Sequence, residues 1–362
     1  MRTFTLTKAI QVLFLFFLVF AGLYFAKPFL APFAIAVLLA MLFLPLARKM
    51  EDKGISRGLA IVVCLLIFAA AIAGIIILIS TQISSFSEDM PKLKENVSQG
   101  ISRLKEYISK IAGVSPQEQQ QMMEQQKSSG GGKAGSFITS VMNVISGLMV
   151  DTLLVFVYIF LLLYFRTHLK NFILKLVPEE NKENTVTIIS KATKVASKYL
   201  TGLGMMIVML WIMYGIGFSI AGVKNAILFA VLCGLLEIIP FVGNVTGTGF
   251  TILMALSQGG GSGMVLGILA TYVVVQFIQT YILEPLVVGS EVNINPLFTI
   301  VVIVIGELVW GVPGMILAVP MLGIIKVICD HIEPLKPYGF LIGEEKKKDG
   351  QNIISKIKGW FK

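Results

Sequence analysis

Three glutamates stand inside long apolar stretches of this sequence, where ionisable residues are scarce. Glu237 and Glu307 lie three and six residues before a proline, and Glu284 directly precedes Pro285. Counted from the start of its apolar stretch, Glu237 or Glu307 would lie roughly 15–18 Å deep in a bilayer. A carboxyl group at that depth normally faces a polar cavity or a partner, and it could bind and release a proton. A structural glutamate that hydrogen-bonds backbone groups freed by the proline is the alternative.

Breaks in the apolar stretches add hydrogen-bonding groups beside these glutamates. Proline removes a backbone donor, and a broken helix leaves N–H and C=O groups unpaired. These groups, with Asn244, Thr246 and Thr248, could hydrogen-bond a polar solute. Gln276 and Gln279 could join them, because residues three apart share one helix face. The break residues are Pro240, Gly243, Pro285, Gly289, Pro313 and Gly314.

Composition places these residues in an integral membrane protein. The 362 residues are 56% hydrophobic and only 14% charged, and the mean hydropathy is +0.83, whereas soluble domains are about one quarter charged. The stretch Leu59 to Ile79 has no ionisable residue and is about 30 Å long as a helix, which matches a bilayer core. We therefore predict an all-α polytopic protein of a bacterial-type cell membrane, with the lipid bilayer as its first partner.

Other functional classes are disfavoured by the same sequence. The net charge of +9 comes from basic residues between and after the apolar stretches, as the positive-inside rule requires, so no nucleic-acid partner is expected. The three cysteines lie in apolar stretches and are predicted to be small buried hydrophobic residues. His168 and His331 lie just beyond predicted spans, and no hydrolase or zinc motif occurs. Neither an enzyme, a metal site nor a cofactor is predicted.

Apolar length and loop charge predict the topology. Four basic residues between positions 48 and 57 place that loop, and hence the N-terminus, in the cytoplasm. Six full spans are predicted, at Ala9–Ala26, Phe29–Ala47, Leu59–Ile79, Leu148–Phe165, Leu200–Ala221 and Met264–Leu283.

Two further apolar stretches, Ala226–Leu256 and Leu297–Cys329, are longer than one ordinary span and shorter than two. Each has a Pro/Gly break near its middle, which favours a re-entrant helical hairpin, and the two hairpins would have opposite orientations. Eight full spans are the alternative. Both topologies leave the C-terminus in the cytoplasm, but the loop Ser257–Gly263 is external with hairpins and cytoplasmic with eight spans.

The chain thus divides into five regions. Residues 1–83 hold three spans, and residues 84–146 form an external amphipathic helix with a Gln/Gly/Ser-rich linker. Residues 147–222 hold two spans and the cytoplasmic connection 166–198. Residues 223–330 form the transport core, and residues 331–362 form a cytoplasmic tail that ends in an amphipathic interfacial helix.

Several motifs resemble those of the autoinducer-2 exporter family. Leu236-Glu237-Ile-Ile-Pro240-Phe-Val-Gly243 resembles the family's Glu-x-x-Pro-x-x-Gly signature. Glu284-Pro285-Leu-Val-Val-Gly289 and Gly311-Val-Pro-Gly314-Met-Ile-Leu-Ala318-Val-Pro320 are similar to two later family patterns. Asn244 and Asn295 depart from the family by replacing a common proline and a frequent histidine.

This resemblance implies a secondary transporter that is a homo-oligomer, with a pentamer as one candidate. The family includes exporters of a furanone-type quorum-sensing signal and sodium(lithium)/proton antiporters. Our first hypothesis is export of a small polar solute, with autoinducer-2 as the candidate, coupled to protons through Glu237 and Glu307. The second is Na⁺(Li⁺)/H⁺ antiport. The third is a structural or interaction protein that works through its external helix.

Overall fold

The computed structural model describes residues 6–87, 152–238, 242–257, 259–288 and 294–344. These residues are almost entirely helical, and no strand occurs among them. The proposed external helix and linker, the C-terminal amphipathic helix, Pro240 and Gly289 lie outside the described residues, and the predictions made for them remain predictions.

Twelve α-helices occur within the described ranges. A π-helical segment, Gln279–Val288, continues α9, and short 3-10 turns precede α6 and α12. The α-helices are α1 Leu6–Phe25, α2 Lys27–Glu51, α3 Arg57–Ser87, α4 Thr152–Tyr164, α5 Arg166–Lys175, α6 Lys182–Ile220, α7 Ala226–Leu236, α8 Val242–Ser257, α9 Ser262–Ile278, α10 Pro296–Trp310, α11 Val312–His331 and α12 Lys336–Ile342.

Helix length and composition confirm the predicted all-α membrane class. Five of the described helices are long and apolar enough to cross a membrane, and a sixth span results if the bent pair α4–α5 counts as one. Each of the six predicted spans overlaps a described helix, although residues 148–151 of the fourth span lie outside the described residues. The helices α1, α7 and α10 are apolar but shorter.

The longest helix, α6, packs against both halves of the transport core. It is 39 residues long, or about 58 Å, so the second half of the predicted cytoplasmic connection and the fifth span form one continuous helix. Its fully buried Tyr214 and Phe218 share a core with α7, α8 and α9. Nearer its N-terminus, Ala196 packs with Leu38 of α2 and Leu317 of α11. Because α6 contacts α2, α7, α9 and α11, it fixes their relative positions.

The helices α7 and α8 form a tight hairpin. A Cβ atom placed on Gly243 would lie 1.7 Å from the carbonyl oxygen of Leu236, and one on Gly247 would lie 3.1 Å from Cys233 Cα. Glycine is therefore required at Gly243, and at Gly247 a side chain would need its neighbour to shift, whereas Gly249 has no atom within 4 Å of an added Cβ. The end of α8 lies at the same end of the bundle as the start of α7. This follows because a Cβ atom on Gly267, near the start of α9, would lie 2.8 Å from the Cβ atom of Ala221, which directly follows α6. With 11 residues, α7 is only about 16 Å long.

The helices α10 and α11 form a second hairpin. Its turn lies at Gly311, whose φ of 69° favours glycine. Next to this turn, the indole nitrogen of Trp310 donates a 3.0 Å hydrogen bond to the carbonyl oxygen of Leu23, at the end of α1. The turn is therefore level with the α1–α2 connection. In addition, α11 has 20 residues and is long and apolar enough to cross a membrane, whereas α10 is shorter.

An ion pair holds α2 to the junction between α4 and α5. Arg166 donates two hydrogen bonds to Glu51, Nη1 to Oε1 at 2.8 Å and Nη2 to Oε2 at 2.5 Å. Above it, buried Ile159 of α4 packs with Ala36 of α2 and Ile61 of α3. This bidentate geometry is the strongest form of the Arg–carboxylate pair, and it fixes the start of α5.

The crossing of α10 and α11 gives a stability prediction. A Cβ atom on Gly306 would lie 2.4 Å from the carbonyl oxygen of Gly314, so Gly306→Ala must push two backbones apart. We expect a loss of about 1–3 kcal/mol and a lower midpoint of thermal unfolding in detergent. The control is Gly204→Ala in α6, where no atom lies within 4 Å of the added Cβ. Equal midpoints for the two variants would contradict the close crossing.

The α7–α8 hairpin gives a topology prediction. Because it returns to the end of α6 that we place outside, the loop before α9 is expected outside. Ser262→Cys should react with a membrane-impermeant maleimide in intact cells. Lys53→Cys, in the basic loop after α2, should react only after the cells are permeabilised. Labelling of position 262 only after permeabilisation would favour the topology of eight full spans, in which residues 226–256 cross once.

Candidate functional site

Glu237 lies at the end of α7, where the first hairpin breaks. Its side chain is buried at 9% exposure, and Gln279 Nε2 donates a 2.7 Å hydrogen bond to its Oε1 atom. Gln279 is itself fully buried and begins the π-helical segment after α9. The predicted glutamate and one predicted glutamine therefore meet across 42 residues of sequence.

A second chain of hydrogen bonds includes the other predicted polar residues. Asn244, near the start of α8, donates from Nδ2 to Gln276 Oε1 at 2.7 Å. Gln276 in turn donates from Nε2 to Thr280 Oγ1 at 3.4 Å. Tyr214 of α6 donates from its hydroxyl to Asn244 Oδ1 at 3.2 Å. Polar side chains from four helices, α6 to α9, and from the π-helical extension of α9 thus meet in one place. We call this group the polar cluster; its members are Glu237, Gln279, Asn244, Gln276, Tyr214 and Thr248.

Tyr214 is the member of the polar cluster that sequence reasoning missed. A tyrosine in an apolar span has an apolar ring and one hydroxyl, and a buried hydroxyl usually finds a hydrogen-bond partner. That signal was present in the sequence, but it names no partner. The choice of Asn244 depends on how α8 folds back against α6.

Three buried polar atoms in the polar cluster have no hydrogen-bond partner among the described residues. They are Glu237 Oε2, Gln279 Oε1 and Thr248 Oγ1. Burying a polar group without a partner costs about 1–3 kcal/mol, so such atoms usually bind water or a ligand. Two of the three can only accept while Glu237 is ionised, and the hydroxyl can donate or accept. The cluster is thus suited to a ligand with several donor groups or to a cation.

Glu284 lies beside the polar cluster, where the side chain of Gln279 interacts with it as well as with Glu237, whereas Glu307 lies apart from the cluster. Glu284 is exposed and lies five residues after Gln279 in the π-helical segment, which is one turn of such a helix. Glu307 is exposed on α10, one turn before the connection at Gly311. It lies toward the end of the bundle where Trp310 meets α1, and it is not near Glu237.

The break residues have different roles in the structure. Pro313 and Gly314 lie in the first turn of α11, and Gly314 makes the close contact with Gly306. Pro285 lies inside the π-helical segment, whose wider turn accommodates the missing N–H donor. Among the described residues, no three His, Cys, Asp or Glu side chains gather in a way that could hold a metal ion.

Comparison with known proteins agrees with the motifs. The sequence profile described as "AI-2E family transporter" matches residues 13–333 of this chain. Three relatives carry names that begin "Putative transport protein". YrrI of Bacillus subtilis is 22% identical, and the alignment covers 84% of this chain and 87% of YrrI. YhhT of Escherichia coli K12 is 22% identical, and the alignment covers 91% of this chain and 92% of YhhT. YueF of Bacillus subtilis is 23% identical, and the alignment covers 88% of this chain and 90% of YueF.

The profile match extends from α1 to the end of α11, so it covers the polar cluster and both hairpins. The names of the relatives favour transport over enzymatic activity and over the structural role that the sequence had left open. The apolar helices agree with a multi-pass protein of a bacterial cell membrane. The chain belongs to the AI-2E family of transporters.

Proposed function

We propose that this transporter exports a small polar solute rich in hydrogen-bond donors, with the autoinducer-2 signal as the first candidate. The observation that carries the proposal is the polar cluster, in which two buried acceptor atoms and one hydroxyl have no described partner. A solute with several hydroxyl groups would supply the missing donors. The amide groups of Asn244 and Gln276 would orient the solute.

Proton coupling in this proposal runs through Glu237. Its Oε1 atom is held by Gln279, so protonation at the unpartnered Oε2 atom would add a donor without breaking that hydrogen bond. The solute and the proton would then compete for the same atom, which is the requirement for exchange transport. Movement of the α7–α8 hairpin against α6 and α9 would alternate access to the cluster.

Glu307 enters the proposal through a homo-oligomer. In the single chain it is exposed on α10 beside the exposed Leu308 and Val304. A carboxylate facing lipid is costly, so a second copy of the chain, in a pentamer or a smaller ring, would cover this face. We keep Glu307 as a second proton-carrying candidate at that contact.

Cation/proton antiport is the second candidate function. Carboxylate and amide oxygens are ligands that hard cations prefer, and Glu237 Oε2 and Gln279 Oε1 are both free of described donors. Sodium or lithium would then replace the solute as the species that competes with the proton.

The two functions are separated by proton movement in proteoliposomes that contain a pH-sensitive dye. Adding the furanone signal should drive proton movement in the wild type. Glu237→Gln should reduce it at least about tenfold, because the amide cannot exchange a proton and replaces a charge-assisted hydrogen bond. Glu180→Gln, on the exposed turn before α6, is the control and should behave as the wild type.

The results of this assay show which species is coupled to proton movement and whether Glu237 carries the proton. Proton movement in response to sodium alone would establish antiport and contradict the export proposal. Unchanged coupling in Glu237→Gln would show that protons do not pass through this residue. The same assay with Glu307→Gln tests the second carboxylate separately.

Tyr214→Phe tests whether the polar cluster binds the solute. Removing the hydroxyl leaves Asn244 Oδ1 without its donor, so only the hydrogen bond to Gln276 still orients this amide and solute affinity should fall roughly fivefold. Half-saturation of transport measures the change. Tyr281→Phe is the control, because Tyr281 is 69% exposed and lies on the outer surface of the π-helical segment. Equal half-saturation values for the two variants would place the solute elsewhere.

A further inference from the structure

The helix α5 changes direction immediately after a membrane span. It begins at Arg166, with only Phe165 between it and the end of α4, and the two helix axes differ by 64°. None of its ten residues is buried. A helix that continued α4 would leave the membrane, whereas this bend turns α5 toward the plane of the bilayer surface.

One face of α5 is apolar and exposed. Leu169, Phe172, Ile173 and Leu176 follow the spacing i, i+3, i+4, i+7, which gives a stripe about 100° wide along a helix. Phe172 is 57% exposed and Leu176, directly after the helix, is 68% exposed. Such a stripe is unfavourable in water, so a nonpolar phase or another surface must cover it.

Positive charge flanks this apolar stripe on both sides. At 100° per residue, Lys170 lies on one side of the stripe, and His168 and Lys175 lie on the other. Residues 166–178 contain no aspartate or glutamate, and no described residue forms an ion pair with Lys170 or Lys175. Lysines in this arrangement can lay their methylene chains along the stripe and extend their ammonium groups toward phosphate.

The surroundings of α5 place it at the cytoplasmic membrane surface. Tyr164 and Phe165, at the bend, are both exposed, as aromatic residues at a membrane–water boundary commonly are. Arg57 donates a 3.2 Å hydrogen bond to the Tyr164 carbonyl oxygen, and the pair Glu51–Arg166 holds the first residue of the helix. These contacts connect α5 to the basic loop after α2, which the charge distribution assigns to the cytoplasm.

We propose that α5 lies in the head-group layer of the cytoplasmic leaflet and binds anionic phospholipid. The apolar stripe enters the boundary with the acyl chains, and Lys170 and Lys175 bind lipid phosphate groups. The charge of the cytoplasmic leaflet is complementary to that of the helix. Since α5 leads into α6 through a short turn, the lipid contact also fixes the cytoplasmic start of the helix that carries Tyr214. This inference does not depend on which solute is transported.

Spin labels on the full-length protein in vesicles test the placement of the helix. Phe172→Cys puts the label on the apolar stripe, and Asn171→Cys puts it on the opposite face of the same turn. Oxygen, which concentrates in lipid, should relax the label at 172 more than a water-soluble nickel chelate does, and the order should reverse at 171. Labelling of the wild type measures any contribution from Cys64, Cys233 and Cys329, which are buried.

Two results would overturn the placement. If the chelate reaches position 172 as readily as 171, the stripe faces water. If neither oxygen nor the chelate reaches position 172, another protein surface covers the stripe, either from a second copy or from a different partner.

Anionic lipid is tested with an environment-sensitive dye at position 172, in vesicles of phosphatidylcholine alone or mixed with phosphatidylglycerol. Phosphatidylglycerol should shift the dye emission to the blue, and Lys170→Gln/Lys175→Gln should raise the amount needed for half the shift about tenfold or more. The control is Lys224→Gln, between α6 and α7 at the other end of the bundle, which should leave the amount of phosphatidylglycerol needed for half the shift unchanged. An equal response of the double variant and the wild type would overturn the role of the two lysines.

Discussion

A buried carboxylate inside an apolar helix bundle can be held only by partners from other parts of the chain. Glu237 stands where α7 ends, so its own helix offers no further turn to satisfy it. The amide of Gln279, from the π-helical extension of α9, supplies the one described hydrogen bond. This hydrogen bond links the end of α7 to the π-helical extension of α9, so a proton or ligand bound at Oε2, as we propose, would act on that link.

Close backbone contacts make this arrangement possible. Gly243 lets α8 return directly against the end of α7, which places Asn244 beside Tyr214 and Gln276. In the second hairpin, Gly306 and Gly314 allow the backbones of α10 and α11 to make a similarly close contact. Both hairpins pack against α6, but the first ends inside the bundle near the polar cluster, while the second reaches the level of the α1–α2 connection. The two hairpins are therefore not equivalent arms around one site.

The cytoplasmic end of the bundle is organised by charge. The Arg166–Glu51 ion pair connects the start of α5 to α2. Arg57 donates a hydrogen bond to the carbonyl oxygen of Tyr164, the last residue of α4. With its start fixed, α5 can direct its apolar stripe to the lipid surface, together with two lysines that form no ion pair with any described residue. Transport would thus depend on hydrogen bonds in the interior and on electrostatic contacts at the membrane boundary, and different residues carry the two.

The sequence by itself determined the membrane class, the break in each long apolar stretch and five residues of the polar cluster, because apolar length, proline and buried polarity are local properties. Only the tertiary structure decided which polar side chains meet. It paired Glu237 with Gln279, added Tyr214 and left Glu307 on the surface, since these outcomes depend on how α6, α8 and α9 pack across long sequence separations. It also brought the turn of the second hairpin level with the α1–α2 connection, because the Trp310–Leu23 hydrogen bond joins residues 287 positions apart.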